Sequence, residues 1–294
     1  MLDERSSALR GVDAPSAHPR ALDWHRVVLP DAWPDRVNLL HPGEALRYFG
    51  RFFARRQVEI PPDLPGAERL PAYLKQEFHH LPNGVYSKRH ADAYARWFDR
   101  VMLGRTVHAR ARLAATLAGT ATALDAGCGT GGLAGALHAA GVGDVWGIDP
   151  SPYVLQIAAR RHPEVHFVQG VIEESGFPSG RFDGVGACFL FHELPNRVAD
   201  ASLAEIGRIL APGGKLAIAE PSPIQLDGDL RTLVRRAGYG VLYFALLARW
   251  MHEPFVAAWH RRDVGAWLAD HGFRLLVDDE MMPIRFITAV RRGS

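Results

Sequence analysis

A glycine-rich segment near the middle of the chain constrains the fold more than any other part of the sequence. Residues 124–132 read LDAGCGTGG, a pattern typical of a buried strand that ends in a tight turn and leads into a helix. Glycines at positions 127, 129 and 131 permit backbone conformations closed to other residues, and they let a ligand lie against the chain. The following helix presents free N–H groups at its start, which suit an anionic group. We therefore expect this loop to bind a cofactor.

Two aspartates help to decide which cofactor the loop binds. The spacing of Gly127, Gly129 and Gly132 also fits the dinucleotide pattern G-x-G-x-x-G. Asp125, however, precedes the first glycine, where a carboxylate would repel a pyrophosphate and attract an ammonium group. Asp149 ends the next predicted strand, about 20 residues further on, where an acid accepts both ribose hydroxyls. These positions favour a cofactor with a ribose and an ammonium group.

Strand and helix patterns alternate through the second half of the chain, which predicts an α/β fold with a doubly wound parallel sheet. The chain closes with two strand-like runs, Phe273–Asp278 and Ile284–Val290, joined too tightly for a crossover helix. The last strand must therefore be antiparallel. The earlier strands are predicted at residues 122–125, 144–148, 166–169, 183–189 and 215–219.

Three motifs in combination resemble those of class I S-adenosylmethionine-dependent methyltransferases that act on small molecules. They are residues 125–132, Asp149, and the sequence LAPGGKL at residues 210–216. The resemblance extends from about residue 120 to the end of the chain. It implies a Rossmann-like methyltransferase fold with a seven-stranded sheet and an antiparallel last strand, and S-adenosylmethionine as the cofactor.

The resemblance also implies which residues bind the cofactor. Asp125 and the Gly127–Gly131 loop would hold the methionine end, and Asp149 would hold the ribose. The full implied set is Asp125, Gly127, Cys128, Gly129, Gly131, Asp149, Pro150, Ile172 and Phe189.

The sequence departs from the family pattern at one position. Val171 stands where family members often carry an acid that bonds the adenine amino group. We expect adenine to lie against Ile172 and its backbone N–H instead, with Glu173 as a substitute for the acid. The departure keeps open the alternative of a non-catalytic S-adenosylmethionine-binding protein.

Candidate catalytic residues follow the fourth predicted strand, where the resemblance places the acceptor. His192 is the best-placed base because an unperturbed imidazole titrates near neutral pH. Packing against the cofactor is the alternative role for this histidine. Glu193 would orient His192 or bind the acceptor, unless it is only a charge at a helix start. Tyr86, beyond an Asn-Gly turn, is expected to line the methyl-transfer site or to have a purely structural role.

The chain divides into an N-terminal arm with a helical lid, residues 1–118, and a cofactor-binding domain, residues 119–294. Within the second part, residues 222–262 interrupt the alternation and are rich in aromatic residues. We interpret them as a helical insertion over the pocket. The alternatives are an extra helical layer or the contact of a homodimer.

Local sequence signals predict two helices within residues 1–118 and the start of one helix within residues 119–294. Leu46, Phe49 and Phe53 repeat at helical spacing, as do apolar residues after Ser87, a predicted N-cap. Ser151 is predicted as the N-cap of a helix that has proline in its first turn.

Composition excludes several classes of partner. The chain of 294 residues has a net charge of +2 and no block of basic residues, so no nucleic acid partner is expected. Residues 1–5 lack the apolar core of a signal peptide, and Val241–Ala248 is too short to span a bilayer.

Cys128 and Cys188 are not placed for a disulfide, which favours the cytoplasm. No metal site is predicted, because adjacent histidines such as those at positions 79 and 80 rarely face one ion.

The favoured function is transfer of a methyl group from S-adenosylmethionine to an O, N or S atom of a small molecule by direct in-line displacement. An NAD-dependent oxidoreductase is the enzymatic alternative. Asp125 and the terminal pair of strands disfavour that alternative.

Overall fold

The structure, a computed structural model, describes residues 22–293 except residues 55, 78, 227, 228 and 252. The first 21 residues of the predicted arm lie outside the described part. The α-helices are α1 (Trp33–Arg36), α2 (Pro42–Arg51), α3 (Lys88–Val101), α4 (Arg105–Leu117), α5 (Gly132–Ala139), α6 (Pro152–Arg161), α7 (Asn196–Ile209), α8 (Leu230–Ala237), α9 (Leu242–Trp250), α10 (Val256–His260) and α11 (Val264–Asp270).

Within the described residues, the strands form one seven-stranded sheet in the order β3-β2-β1-β4-β5-β7-β6. Strand β7 pairs antiparallel with both β5 and β6, while the first five strands are parallel to one another. The predicted fold class is therefore confirmed. The strands are β1 (Thr122–Ala126), β2 (Asp144–Asp149), β3 (His166–Gln169), β4 (Phe182–Cys188), β5 (Leu210–Pro221), β6 (Phe273–Met281) and β7 (Ile284–Arg291).

Two apolar cores lie on opposite faces of the sheet, because successive side chains of a strand point to opposite sides. Ala123 of β1 packs among residues of α4, α5 and α6, whereas Leu124 packs among residues of α7 and α11. Helix α4, which the predicted division of the chain places in the lid, thus packs on the sheet. The strand order reverses between β1 and β4, and ligands of open α/β sheets bind beyond that point.

The region before α4 wraps over one end of the sheet domain. Trp24 is buried, and its indole N–H donates to the Phe167 carbonyl oxygen at 2.9 Å. A separate apolar core joins this region to α6. Ser87 caps α3 as predicted, by accepting a hydrogen bond from the His90 N–H. Ser151 does not cap α6; its hydroxyl donates to the Val85 carbonyl oxygen at 2.9 Å and so holds the lid segment on the sheet domain.

Helix α2 contains Leu46 and Phe49 of the predicted helical stripe but ends at Arg51, before Phe53. Leu46, Phe49 and Phe53 are all exposed, and the buried residue of the helix is Tyr48. The Tyr48 hydroxyl bonds to His90 at 2.7 Å, which turns the more polar side of α2 inward.

The described residues of the predicted insertion include the short helices α8, α9 and α10. Phe244 and Trp259 are buried, whereas Tyr239, Tyr243 and Trp250 are exposed. In the part of the chain that the structure describes, no helix is both long and apolar enough to cross a bilayer.

Candidate active site

The glycine-rich loop turns sharply between β1 and α5. Gly127, Gly129 and Gly131 have φ angles of 68°, 50° and 80°, which L-residues with side chains rarely adopt. A Cβ on Gly131 would also lie 3.0 Å from carbon atoms of both His162 and Phe167. Glycine is therefore the residue that adopts this backbone without strain at the three positions. The absence of side chains also leaves the space beside the loop open.

Asp149 ends β2 beside this loop. One carboxylate oxygen accepts a hydrogen bond from the Gly129 N–H at 2.9 Å, and the other accepts one from the Ser151 N–H at 2.9 Å. Burial raises the pKa of Asp149 to about 6, although the two backbone hydrogen bonds oppose this shift. Each oxygen retains capacity for a further donor, as a ribose-binding acid requires.

Asp125 lies beneath the loop. Its carboxylate accepts a hydrogen bond from the Ala134 N–H in the first turn of α5 at 2.8 Å, and its side chain is buried. Burial raises the pKa of Asp125 to about 8. This geometry shows that Asp125 holds the start of α5 in place.

A first cavity lies between the loop, the lid segment and the carboxyl ends of the strands, and the space free of protein atoms in it, open solvent included, is about 1130 Å³. Glu173 lines it and accepts a hydrogen bond from the Tyr73 hydroxyl at 2.7 Å. The other carboxylate oxygen of Glu173 is buried and has no hydrogen-bond partner among the described residues. A buried acceptor without a donor is costly, so this oxygen is suited to a ligand N–H group.

Phe189 follows β4 and lies at the border of the first cavity. Its φ angle is 62°, a left-handed conformation that costs energy for a residue with a Cβ. Its N–H donates to the Ala219 carbonyl oxygen at 2.8 Å, which fixes the backbone there. Strained residues of this kind cluster at functional sites.

His192 is held by a buried glutamate from β5. Glu220 accepts hydrogen bonds from the backbone N–H groups of Leu190 and Phe191 and lies 2.5 Å from His192 Nδ1. Nδ1 is therefore the donor, and Nε2 is the nitrogen left for chemistry, 3.8 Å from Glu253. Burial lowers the pKa of His192, but the charges of Glu220 and Glu253 outweigh it and raise the pKa to about 9. The ring is a cation at neutral pH.

A second histidine joins the lid to this group. His79 Nε2 lies 2.8 Å from Glu193, and His79 Nδ1 lies 3.4 Å from Glu253 of the insertion. Burial opposes the charge of His79, but the hydrogen bonds to these glutamates raise its pKa to about 10. The charge of His192 and the bond to His79 in turn lower the pKa of Glu253 to about 2, against the effect of burial. Lid, insertion and sheet edge thus meet in one ion cluster, defined as His79, His192, Glu193, Glu220 and Glu253.

A second cavity lies beside the ion cluster, and the space free of protein atoms in it, open solvent included, is about 570 Å³. Its other walls are mainly apolar and come from α3 and α9, including Phe98, Met102, Phe244, Leu247 and Ala248. The residues that line both cavities are His79, Tyr94, Phe189 and Glu193.

The structure gathers most of the predicted site residues around the first cavity. Gly127, Gly129, Asp149, Pro150, Ile172, Phe189, Glu193 and Tyr86 line it, and His192 lines the second cavity. Asp125, Cys128 and Gly131 are not among the described residues that line the first cavity. The Cys128 thiol is buried, which raises its pKa and makes a nucleophilic role unfavourable.

Sequence reasoning missed several residues of the site: Tyr73, Tyr94, Glu220 and Glu253. Tyr94 belongs to the helical stripe after Ser87, and its spacing does not separate it from core residues. Glu220 lies at the end of the strand that the LAPGGKL motif introduces, and an acid directly after an apolar strand is a sequence signal that could have identified it. The described residues contain no group of three or more histidine, cysteine or acidic side chains arranged to hold a metal ion.

Comparison with known proteins identifies the domain that carries this site. The family model for a methyltransferase domain matches residues 123–214, which include the loop, Asp149, Phe189 and His192. This part of the sheet domain, 92 of the 294 residues, is similar to methyltransferase domains. The match supports the predicted methyltransferase family and, with it, the predicted enzyme class and cofactor.

Curated relatives match only part of the chain. A demethylmenaquinone methyltransferase of Thermus thermophilus is 38% identical over 105 residues, 34% of this chain and 47% of that protein. A phthiotriol/phenolphthiotriol dimycocerosates methyltransferase of Mycobacterium leprae is 35% identical over 112 residues, 36% of this chain and 40% of that protein. The chain thus spans less than half the length of these two relatives. A solved TehB-like S-adenosylmethionine-dependent methyltransferase from Corynebacterium glutamicum is 21% identical, with a TM-score of 0.49 over 70% of this chain and 99% of the other.

The side chains of the first cavity fit the cofactor of a methyltransferase domain. Its described lining includes the acids Asp149, Glu173 and Glu193 but neither lysine nor arginine, and its one cationic side chain, His79, is paired with Glu193 and Glu253. Such a lining suits a molecule with positive charge and hydroxyl and amino donors, and it does not suit a pyrophosphate. The methyltransferase match and this charge pattern do not support the NAD-dependent alternative.

Proposed function

We propose that the protein transfers a methyl group from S-adenosylmethionine in the first cavity to an O, N or S atom of a small molecule in the second. The observation that carries this proposal is the shared wall, in which His79, Tyr94, Phe189 and Glu193 line both cavities. Because these four residues border both cavities, a cofactor in the first cavity and an acceptor in the second would meet between their side chains. Holding them in this arrangement supplies much of the rate enhancement for an in-line displacement.

The residues of the first cavity would hold the cofactor at three points. Asp149 accepts the ribose hydroxyls, the free oxygen of Glu173 accepts the adenine amino group, and the glycine loop admits the methionine end. When bound, S-adenosylmethionine supplies a methyl group on a positively charged sulfur, which departs as a neutral thioether. The buried side chains of the lid keep water away from the reacting atoms.

His192 would take the proton of the acceptor at Nε2, while Glu220 keeps Nδ1 protonated. Because the pKa of His192 is about 9, only a minority of the protein has the neutral ring at neutral pH. We therefore expect turnover to rise with pH. The positive sulfur of a bound cofactor would lower the pKa of His192 and bring the rise closer to neutrality.

The apolar walls of the second cavity favour an acceptor with a substantial apolar part. The names of the relatives do not select the acceptor, since they range from demethylmenaquinone methyltransferase to ribosomal protein L11 methyltransferase. The cavity rather than the names supports a small molecule.

Calorimetry with S-adenosylmethionine, S-adenosylhomocysteine and NAD tests the cofactor site. We expect both S-adenosyl compounds to bind and Asp149→Ala to weaken their affinity about tenfold or more, because hydrogen bonds to a charged acceptor contribute about 1.5–3 kcal/mol. Unchanged affinity in Asp149→Ala would show that the ribose lies elsewhere. Preference for NAD would overturn the proposal.

Release of S-adenosylhomocysteine in the presence of phenols, amines and thiols tests catalysis. We expect His192→Gln, which keeps a donor toward Glu220, to reduce turnover about a hundredfold without changing cofactor affinity. Full turnover in His192→Gln would show that His192 is not the base and that it only packs against the cofactor. Cofactor binding without turnover of any acceptor would favour the non-catalytic alternative.

A further inference from the structure

An exposed apolar surface lies on the outer faces of α3, its C-terminal turn and α9. We call it the α3–α9 rim and define it as Trp97, Val101, Leu103, Tyr243, Leu246 and Trp250. Trp97 is 59% exposed, Leu103 61% and Trp250 60%. Single exposed apolar residues are ordinary, but a group of large ones on neighbouring elements marks an interaction site.

The rim is continuous across the two helices. The Tyr243 hydroxyl of α9 donates to the Val101 carbonyl oxygen at the end of α3, at 2.7 Å. At the other end of α9, the Trp250 ring lies 5.1 Å from the His80 ring, and His80 Nδ1 lies 2.9 Å from the Phe52 carbonyl oxygen. His80 therefore connects the C-terminal end of α2 to the rim at Trp250.

The inner faces of the same helices line the second cavity. Phe98 and Met102 of the α3 segment and Phe244 and Leu247 of α9 lie on its walls. The rim is thus separated from the proposed acceptor cavity by the thickness of one helix layer.

Exposed arginines flank the rim. Arg96, Arg100, Arg105 and Arg249 belong to the same segments and are exposed. The Arg100 guanidinium lies 5.2 Å from the centre of the Trp97 ring. Arg96 pairs with an aspartate of its own helix, Asp92, and the sequence of α9 contains no acidic residue. The surface therefore combines aromatic and aliphatic groups with positive charge.

We propose that the α3–α9 rim docks on the surface of a bilayer that contains anionic lipids. Tryptophan and tyrosine favour the boundary between lipid headgroups and chains, and arginine attracts anionic headgroups. A second copy of the chain fits less well, because a two-fold contact would bring the arginines of both copies together. Since no described helix could span a bilayer, the contact would be peripheral. Docking would place the acceptor cavity next to the lipid phase.

Sedimentation of the full chain with vesicles tests this proposal. One set contains phosphatidylcholine alone, and the other contains equimolar phosphatidylcholine and phosphatidylglycerol. We expect binding to the anionic set, weakened by salt. Leu246→Ser and Arg100→Glu should each reduce the partition coefficient about tenfold, through lost apolar contact and reversed charge respectively.

Two variants on the edge strand β6 provide matched controls. Leu276 is 46% exposed, close to the 53% of Leu246, and Arg274 is exposed like Arg100. Leu276→Ser and Arg274→Glu should leave vesicle binding unchanged. Equal losses in the rim and control variants, or no binding of the unaltered protein to anionic vesicles, would overturn the proposal.

Sedimentation velocity without lipid tests whether a second copy of the chain binds the rim instead. A dimer that Leu246→Ser converts to a monomer would assign the rim to a second copy and would likewise overturn lipid docking. Calorimetry with S-adenosylmethionine on each rim variant reports whether the fold is intact. Because vesicle binding is measured without cofactor, failure of the proposed function and failure of lipid docking are distinguishable.

Discussion

Two carboxylates of the first cavity differ in what the protein itself offers them. Both oxygens of Asp149 already accept a backbone N–H, so the protein alone fixes this side chain. Glu173 has one oxygen on the Tyr73 hydroxyl and one without a partner in the described part of the chain, and burial raises its pKa. A hydrogen bond from a ligand therefore contributes more binding free energy at Glu173 than at Asp149, because it satisfies a buried acceptor that otherwise has no donor.

We predict that Glu173→Gln lowers the affinity for S-adenosylmethionine about tenfold, because an amide replaces a charged acceptor for the adenine amino group. Glu174→Gln is the control, since Glu174 is the exposed neighbour and does not line the cavity. Calorimetry on the two variants measures the difference. Equal affinities would show that adenine is held by Ile172 and the backbone alone.

Single residues were predictable from the sequence where local geometry dictates them. The glycines of the loop and Asp149 follow from a turn and a strand end, both of which are local. The partners of the two histidines do not, since Glu220 lies 28 residues from His192 and Glu193 lies 114 residues from His79. Such pairs depend on which elements meet in the folded chain, and no spacing rule contains that information.

The elements show the same division between local and tertiary information. Periodicity correctly grouped Leu46 and Phe49 on one side of α2, but Phe53 lies beyond its last residue, Arg51, and periodicity does not say which side faces the core. In α2 the bond from Tyr48 to His90 and the ring contact of Tyr48 with Trp33 decide the orientation. The strands were easier to predict, because a parallel strand buried on both faces is apolar throughout.

We predict that filling the second cavity from α9 separates acceptor binding from cofactor binding. Ala248 lines that cavity, so Ala248→Trp should abolish acceptor turnover while the affinity for S-adenosylmethionine changes less than about twofold. Ala257→Trp, at an exposed position of α10, is the matched control and should retain activity. Loss of turnover in both variants would point to general damage to the insertion instead of a filled acceptor site.

At the scale of the whole molecule, the ion cluster connects parts of the chain that are far apart in sequence. His79 belongs to the lid, Glu253 to the insertion, and His192 and Glu193 to the segment after β4. The buried histidines keep their charge only because these parts are assembled around glutamates. Assembly of the lid and insertion is therefore linked to proton binding.

The sign of that linkage follows from the pKa values. Histidines with pKa values of about 10 and about 9 when folded bind protons more tightly than in the unfolded chain, where the ordinary histidine pKa is 6.5. Their contribution to stability is complete below the unfolded value and is lost as pH rises through the folded values. Asp125 and Asp149, raised to about 8 and about 6, also lose stability with rising pH, but their effect is complete by about pH 8. The interval from about pH 8 to about pH 10 therefore reports the histidines together with the buried thiols of Cys128 and Cys188, whose pKa values burial raises from the ordinary 9.0. A variant of one histidine separates its share from that of the thiols.

We predict that the free energy of unfolding falls between these two pH values, by at most about 1.4 kcal/mol per pH unit for each imidazolium. His79→Gln removes one titrating group and should make the fall shallower, because Gln keeps a donor toward Glu193 but cannot lose a proton. Urea unfolding at several pH values gives the slope. His25→Gln is the control, since His25 belongs to the arm and not to the ion cluster. A slope unchanged by His79→Gln would mean that this ring is neutral in the folded protein and that hydrogen bonds without charge hold the lid.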